Sequence, residues 1–229
     1  MAHIVLVHGS YQGGWIWQRV TARLRAAGHT VHAPTLDGCA ERRHQLRPGI
    51  DTTTHATEIA ELLFYEDLRD VVLVGTSSGG MVVCRAAEQM RDRIGRIVLV
   101  DALALFNGER TRDIVNRGAP MPPGLAAGQS REEAASGLFA DLDPATKAWV
   151  LDRYTLHPIG CSWTPVKLTD FWDMRWDASV IWCRQAANPG EAHQRRAADR
   201  LKARWHELDT GHYPMLSMPK ELTALIVAG

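Results

Sequence analysis

Gly75-Thr76-Ser77-Ser78-Gly79 sets a serine between two glycines at the G-x-S-x-G spacing, directly after the apolar run Val71-Val72-Leu73-Val74. A β-rich run enters the motif and a helical run leaves it, the setting in which this spacing carries a nucleophile. The reason is steric. A tight strand-to-helix turn brings its first and last residues together and strains the backbone of the middle one, so both flanks must be glycine. Ser77, the middle residue, is the candidate nucleophile. The helix that follows points its positive end at the turn, where negative charge develops during acyl transfer. Ser78 would therefore act through its backbone N–H, as one donor of an oxyanion hole.

Serine attacks poorly without a partner to take its proton, so a histidine is needed in a loop after a late strand. Gly211-His212 in LDTGHYPML meets both conditions, which makes His212 the candidate base. Of the other histidines, His206 lies within a strand pattern, and His3, His29 and His32 precede or line early strands. A second oxyanion donor is expected from His8-Gly9-Ser10, which ends the first strand pattern. In a parallel sheet the carboxyl ends of neighbouring strands share one rim, so the Ser10 N–H and the Ser77 turn can face each other.

The elements that must position these groups alternate along the chain. Short apolar runs at residues 2–7, 29–35, 70–75, 96–101, 178–183 and 203–209 read as strands, and helical periodicity fills residues 15–27, 53–66, 78–90, 191–201 and the C-terminal stretch. In the second of these helices Ala56, Ile59, Ala60, Leu63 and Phe64 are expected to share the buried face. The alternation predicts an α/β fold, a mostly parallel sheet flanked by helices. Residues 1–101 and 178–229 make its core. Residues 102–177 interrupt the pattern with most of the prolines, the run GAPMPPGLAAG and an aromatic-rich stretch, and read as a mainly helical cap inserted after Asp101.

The chain has 229 residues, 45% hydrophobic and 23% charged, and its 26 basic and 26 acidic side chains cancel. That length suits one domain, and the balance gives no field for nucleic acid or an anionic membrane surface. No apolar run approaches the roughly 18 residues that span a bilayer, and no secretory leader pattern opens the sequence. Cys39, Cys84, Cys161 and Cys183 lack a CxxC spacing, so reduced thiols and a cytoplasmic location are expected. Ten histidines include no HExxH pair, so neither a metal nor another cofactor is expected. The expected partner is a small-molecule substrate, with a homodimer as candidate assembly.

Together VLVHGSYQGGWIW, PTLDGCAERRH, FYEDLRDVVLVGTSSGG, IVLVDAL and TGHYPMLSMP resemble the α/β-hydrolases, and more narrowly the branch of plant methylesterases, hydroxynitrile lyases and similar bacterial esterases. The resemblance covers most of the chain outside residues 105–175. It implies serine-dependent hydrolysis of a carboxylic ester or lactone through an acyl-enzyme, with Ser77 attacking and His212 shuttling the proton. The lyases differ by a hydroxyl residue directly after the first-strand histidine and a lysine directly after the catalytic one. Gly9 and Tyr213 occupy those places here, which favours the esterase.

One position departs from the family pattern. The third triad member is usually an Asp shortly after the strand SVIWC, where this chain has Ala186. Asp101, ending the strand after the nucleophile helix, is the candidate replacement on the same rim; the alternative is that it only organises its loop. Asp209 stands close to His212 in sequence and is expected to fix its turn. Without any acid, the chain would be a weak or specialised member of the fold: a ligand binder, a lyase or a rearrangement enzyme. The cap aromatics suggest a pocket for a bulky apolar or aromatic group, with Gly9, Trp149, Trp172 and Tyr213 as candidate lining residues.

Overall fold

The computed structural model describes residues 1–115, 118 and 120–228. Six parallel strands form the central sheet: β1 (His3–Val7), β2 (Thr30–His32), β3 (Val71–Thr76), β4 (Ile94–Val100), β7 (Ala178–Cys183) and β8 (Arg204–Leu208). Their order is β2-β1-β3-β4-β7-β8. β1, β3, β4 and β7 are covered on both faces, which is why they read as continuous apolar runs without alternation.

Helices pack on each face. α2 (Thr52–Tyr65), α3 (Gly79–Gln89) and α8 (Glu191–Leu201) contribute Ile59, Leu63, Val83, Ala87 and Ala197 to one buried cluster with Val5, Leu73 and Ile97. α1 (Gln18–Ala26) and α10 (Pro219–Val227) contribute Val20, Leu24, Leu222 and Ile226 to the other, with Leu6, Val74 and Val98. Between β8 and α10 runs the short helix α9 (Pro214–Ser217). The first predicted helix is in fact two pieces, a 3₁₀ turn over Gly14–Trp17 and then α1.

α2 starts where its cap dictates. The Asp51 carboxylate accepts from the Thr54 N–H at 3.0 Å while the Thr54 hydroxyl accepts from the Asp51 N–H, a reciprocal cap worth about 1 kcal/mol. Its buried face holds Thr52, His55, Ala56, Ile59 and Leu63, but Phe64, expected there, is exposed. Five residues beyond Ile59 lies about 140° round the helix, off the stripe.

Among the described residues, those between 102 and 177 add no strand to the main sheet. They carry α4 (Thr111–Ile114), α5 (Arg131–Ser136), α6 (Pro144–Leu151), α7 (Gly160–Trp163) and a two-stranded antiparallel ribbon of β5 (Ala126–Ala127) and β6 (His157–Pro158). The segment is tied down at both faces, since Leu103, Val166 and Phe171 belong to the first apolar cluster and Phe139, Leu142 and Val150 to the second. Among the described residues no helix is long and apolar enough to cross a membrane.

Candidate active site

Ser77 lies in the turn between β3 and α3 with φ +52°, a left-handed conformation that costs a serine on the order of 1–2 kcal/mol. The surroundings hold it there. Its carbonyl accepts from the N–H groups of Leu103 at 2.8 Å and Gly80 at 3.0 Å. A Cβ on Gly79 would stand 2.6 Å from the His8 carbonyl oxygen, so only glycine lets α3 begin against the end of β1. A Cβ on Gly9 would stand 2.6 Å from the Ser77 Cβ and 3.2 Å from its Oγ. The loop after β1 therefore touches the turn after β3, as the shared rim requires.

Ser10 and Ser78 face each other across that contact, with their hydroxyls 2.9 Å apart. Ser78 caps α3, so its amide is among the first-turn donors that a helix leaves without an internal partner. His8 fixes the loop from beneath. Its Nε2 accepts from the Leu36 N–H at 3.0 Å and its Nδ1 donates to the Gly9 carbonyl at 2.8 Å, which defines a neutral ring.

Asp101 follows β4 on the neighbouring strand end, fully buried and also left-handed, with φ +43°. One carboxylate oxygen, Oδ2, lies 2.5 Å from Nδ1 of His212, and the other accepts from the Cys183 N–H at 3.4 Å. The imidazole is thus gripped through the nitrogen that leaves Nε2 for other work. Ala186 sits in the turn after β7, its N–H bonded to the Cys183 carbonyl. Asp209 is turned to the surface, 3.3 Å from Arg184 and 3.2 Å from Gln185 Nε2.

Of the candidate pocket residues, Gly9 and Tyr213 adjoin this centre, Tyr213 ring-to-ring with His212 at 5.1 Å. Trp149 and Trp172 pack elsewhere. Trp149 sits edge-on to Trp15 under the Arg153 guanidinium; Trp172 sits against Phe106 and Phe171, its indole N–H on the Leu105 carbonyl. The aromatic cluster that adjoins the centre is Tyr11, Tyr154, Phe139 and Tyr213, with successive ring centroids 5.5, 6.2 and 5.0 Å apart, Phe139 and Tyr213 being buried. It runs from the residue after Ser10 to the residue after His212. Nothing in the composition of residues 102–177 separates Phe139 and Tyr154 from the tryptophans.

Beside Ser78 lies a narrow gap, too tight to hold a water molecule, lined by Leu36, Met81, Val82, His8, His55 and His157 among others. The absence of a metal-ligand spacing along the sequence does not carry into space, because His55, His157 and Cys161 converge here, all buried. Burial also depresses the histidines: His8 and, behind the rim, His193 are each lowered from 6.5 to about 4, and His55 and His157 move the same way. Each neutral ring stabilises the fold fully above pH 6.5 and loses that contribution as the pH falls toward 4, about 3 kcal/mol apiece for His8 and His193. Urea denaturation followed across this window should show stability falling steeply. A flat profile would mean these rings are not held neutral.

The alpha/beta hydrolase family pattern matches residues 4–225. The chain belongs to the alpha/beta hydrolase family. Among curated relatives, this family member is 35% identical to a carbendazim hydrolyzing esterase of Nocardioides over 127 residues, 56% of this chain and 52% of that protein. It is 31% identical to lipase LipV of Mycobacterium tuberculosis over 153 residues, 67% and 57% of the two chains. It is 39% identical to salicylic acid-binding protein 2 of Nicotiana tabacum over 103 residues, 44% and 39% of the two. Thus it spans about half the length of the first curated relatives it matches. Plant methylesterases and an Arabidopsis hydroxynitrile lyase also match, as the motifs imply. Among solved structures, an extracellular alpha/beta-hydrolase from a Paenibacillus species superposes with TM-score 0.82 at 21% identity, covering 99% of this chain and 98% of that one. The fold is shared at full length.

Proposed function

We propose that this alpha/beta hydrolase is a serine esterase that hydrolyses carboxylic esters or lactones bearing a bulky apolar or aromatic group. The observation that carries the reading is the buried Asp101 carboxylate 2.5 Å from His212 Nδ1. It supports Asp101 as the acid that the Ala186 position lacks, and weighs against reading the chain as a binder.

In this reading Ser77 Oγ attacks the ester carbonyl and His212 Nε2 takes its proton. Asp101 holds the ring in the tautomer that leaves Nε2 basic and stabilises the imidazolium that forms. The N–H groups of Ser10 and Ser78 receive the oxyanion, each worth about 10²–10³ in rate. His212 then protonates the leaving alcohol, and water, activated by the same ring, frees the acid and restores Ser77. The strain at Ser77 presents its Oγ above the rim, and Tyr11 and Tyr154, the half-buried members of the neighbouring aromatic cluster, supply apolar faces for the substrate.

A panel of p-nitrophenyl esters and aryl-substituted methyl esters, run beside mandelonitrile, tests this. Turnover of the esters with kcat/KM rising for aromatic acyl groups is expected. Cleavage of the cyanohydrin in preference to every ester would overturn the esterase in favour of a lyase.

A further inference from the structure

Two of the histidines and one of the cysteines outside the hydrolytic centre gather at one place. His55 enters from the buried face of α2, His157 from β6 and Cys161 from α7, and one donor atom of each lies within 4.8 Å of the others. Their contacts decide which atoms are available. His55 Nε2 donates to the Asp37 carbonyl at 2.9 Å, so Nδ1 carries the lone pair, and it points at Cys161 Sγ 3.6 Å away. An outer carbonyl that fixes the far nitrogen is how ligating imidazoles are oriented. His157 is steadied by Cys39, whose sulfur lies 3.6 Å from its Nδ1.

Bonds of about 2.0–2.1 Å to nitrogen and 2.3 Å to sulfur, at a tetrahedral angle, set a nitrogen-to-sulfur edge of about 3.5 Å. The 3.6 Å between His55 Nδ1 and Cys161 Sγ matches that edge with no movement of either side chain. Two imidazoles and one thiolate make a borderline-soft donor set, which selects zinc-class or copper ions over magnesium or calcium. All three donors line one narrow gap together with His8 and Ser78, too tight to hold a water molecule.

We infer that His55, His157 and Cys161 form a three-donor site for a zinc-class cation close to Ser78. Binding replaces the thiol proton of Cys161 by the metal and releases that proton. A second consequence, which rests on the esterase reading, is that the bound cation fills space beside the oxyanion donors and inhibits ester turnover.

Cobalt(II) added to the full chain under anaerobic conditions with a non-thiol reductant tests the site directly. The expected result is one equivalent bound, with a sulfur-to-cobalt charge-transfer band of single-thiolate intensity and d–d bands of tetrahedral strength. Cys161→Ser abolishes the charge-transfer band, His157→Gln keeps it while raising Kd at least about 100-fold, and Cys39→Ser leaves it in place, each variant being checked for fold by circular dichroism. Absence of the band in the wild type, its survival in Cys161→Ser, or its loss in Cys39→Ser alone overturns the assignment. If the band appears but neither the cobalt-loaded nor the chelator-treated protein turns over any ester, the esterase reading fails and the metal site stands.

Discussion

Replacing Ser77 by alanine lowers kcat on an activated ester by about 10⁶-fold while leaving the fold intact. On the proposed mechanism the size follows from the loss of the covalent route, since Ser77 Oγ is the hydroxyl that His212 would deprotonate. What remains comes from the oxyanion donors and from substrate binding. The fold survives because the turn is held by backbone contacts: the Ser77 carbonyl bonds to Leu103 and Gly80, and Gly79 packs under the His8 carbonyl. Alanine meets the same left-handed strain as serine at φ +52°. Steady-state kinetics beside a thermal melt separates the two effects. A variant that melts like the wild type and keeps more than about a hundredth of its activity would show that Ser77 is not the nucleophile.

Asp101→Asn is expected to lower kcat by about 10⁴-fold with little change in KM. The substitution is nearly isosteric and keeps an oxygen for the Cys183 N–H. What it removes is the negative charge and the acceptor for the ring N–H at His212 Nδ1, so the imidazole is left in the wrong tautomer and its cation without a counter-charge. This separates two roles for the residue. A loop organiser would be served equally well by asparagine, and near wild-type turnover in the variant would assign Asp101 that role alone. The KM-against-kcat split also distinguishes loss of the acid from a distorted pocket, which would raise KM.

Features coded locally were legible in the sequence. The strand run 178–183 and helix run 191–201 coincide with β7 and α8, because burial on both faces and helical spacing leave direct marks. The G-x-S-x-G turn was legible because its spacing marks a strand-to-helix turn, with Gly75 answering to Gly79 and Val83 close by and Gly79 to the His8 carbonyl on another strand end, and His212 because it follows a late strand. Asp101 was readable as a candidate, yet its partner stands 111 residues further on, and only the register of β4 and β7 on β8 brings the two together. Residues 102–177 were the hardest to read. Trp149 and Trp172 drew attention by size, but large rings also cover cores, and these two, both half-buried, do so against Trp15, Phe106 and Phe171. The smaller Tyr11, His55, His157 and Cys161 gave no periodic signal, since they meet only where β6 and α7 fold back over α2 and the loop after β1.

The central claim is that Ser77, activated by His212 and Asp101, is the reacting hydroxyl. The most direct measurement is reaction of the native chain with a fluorophosphonate, followed by peptide mapping of the adduct. The expected result is one phosphonylated residue, Ser77, formed rapidly by the wild type and slowly by Asp101→Asn. An adduct on Ser78 or Ser10, or no adduct on the folded protein, would contradict it.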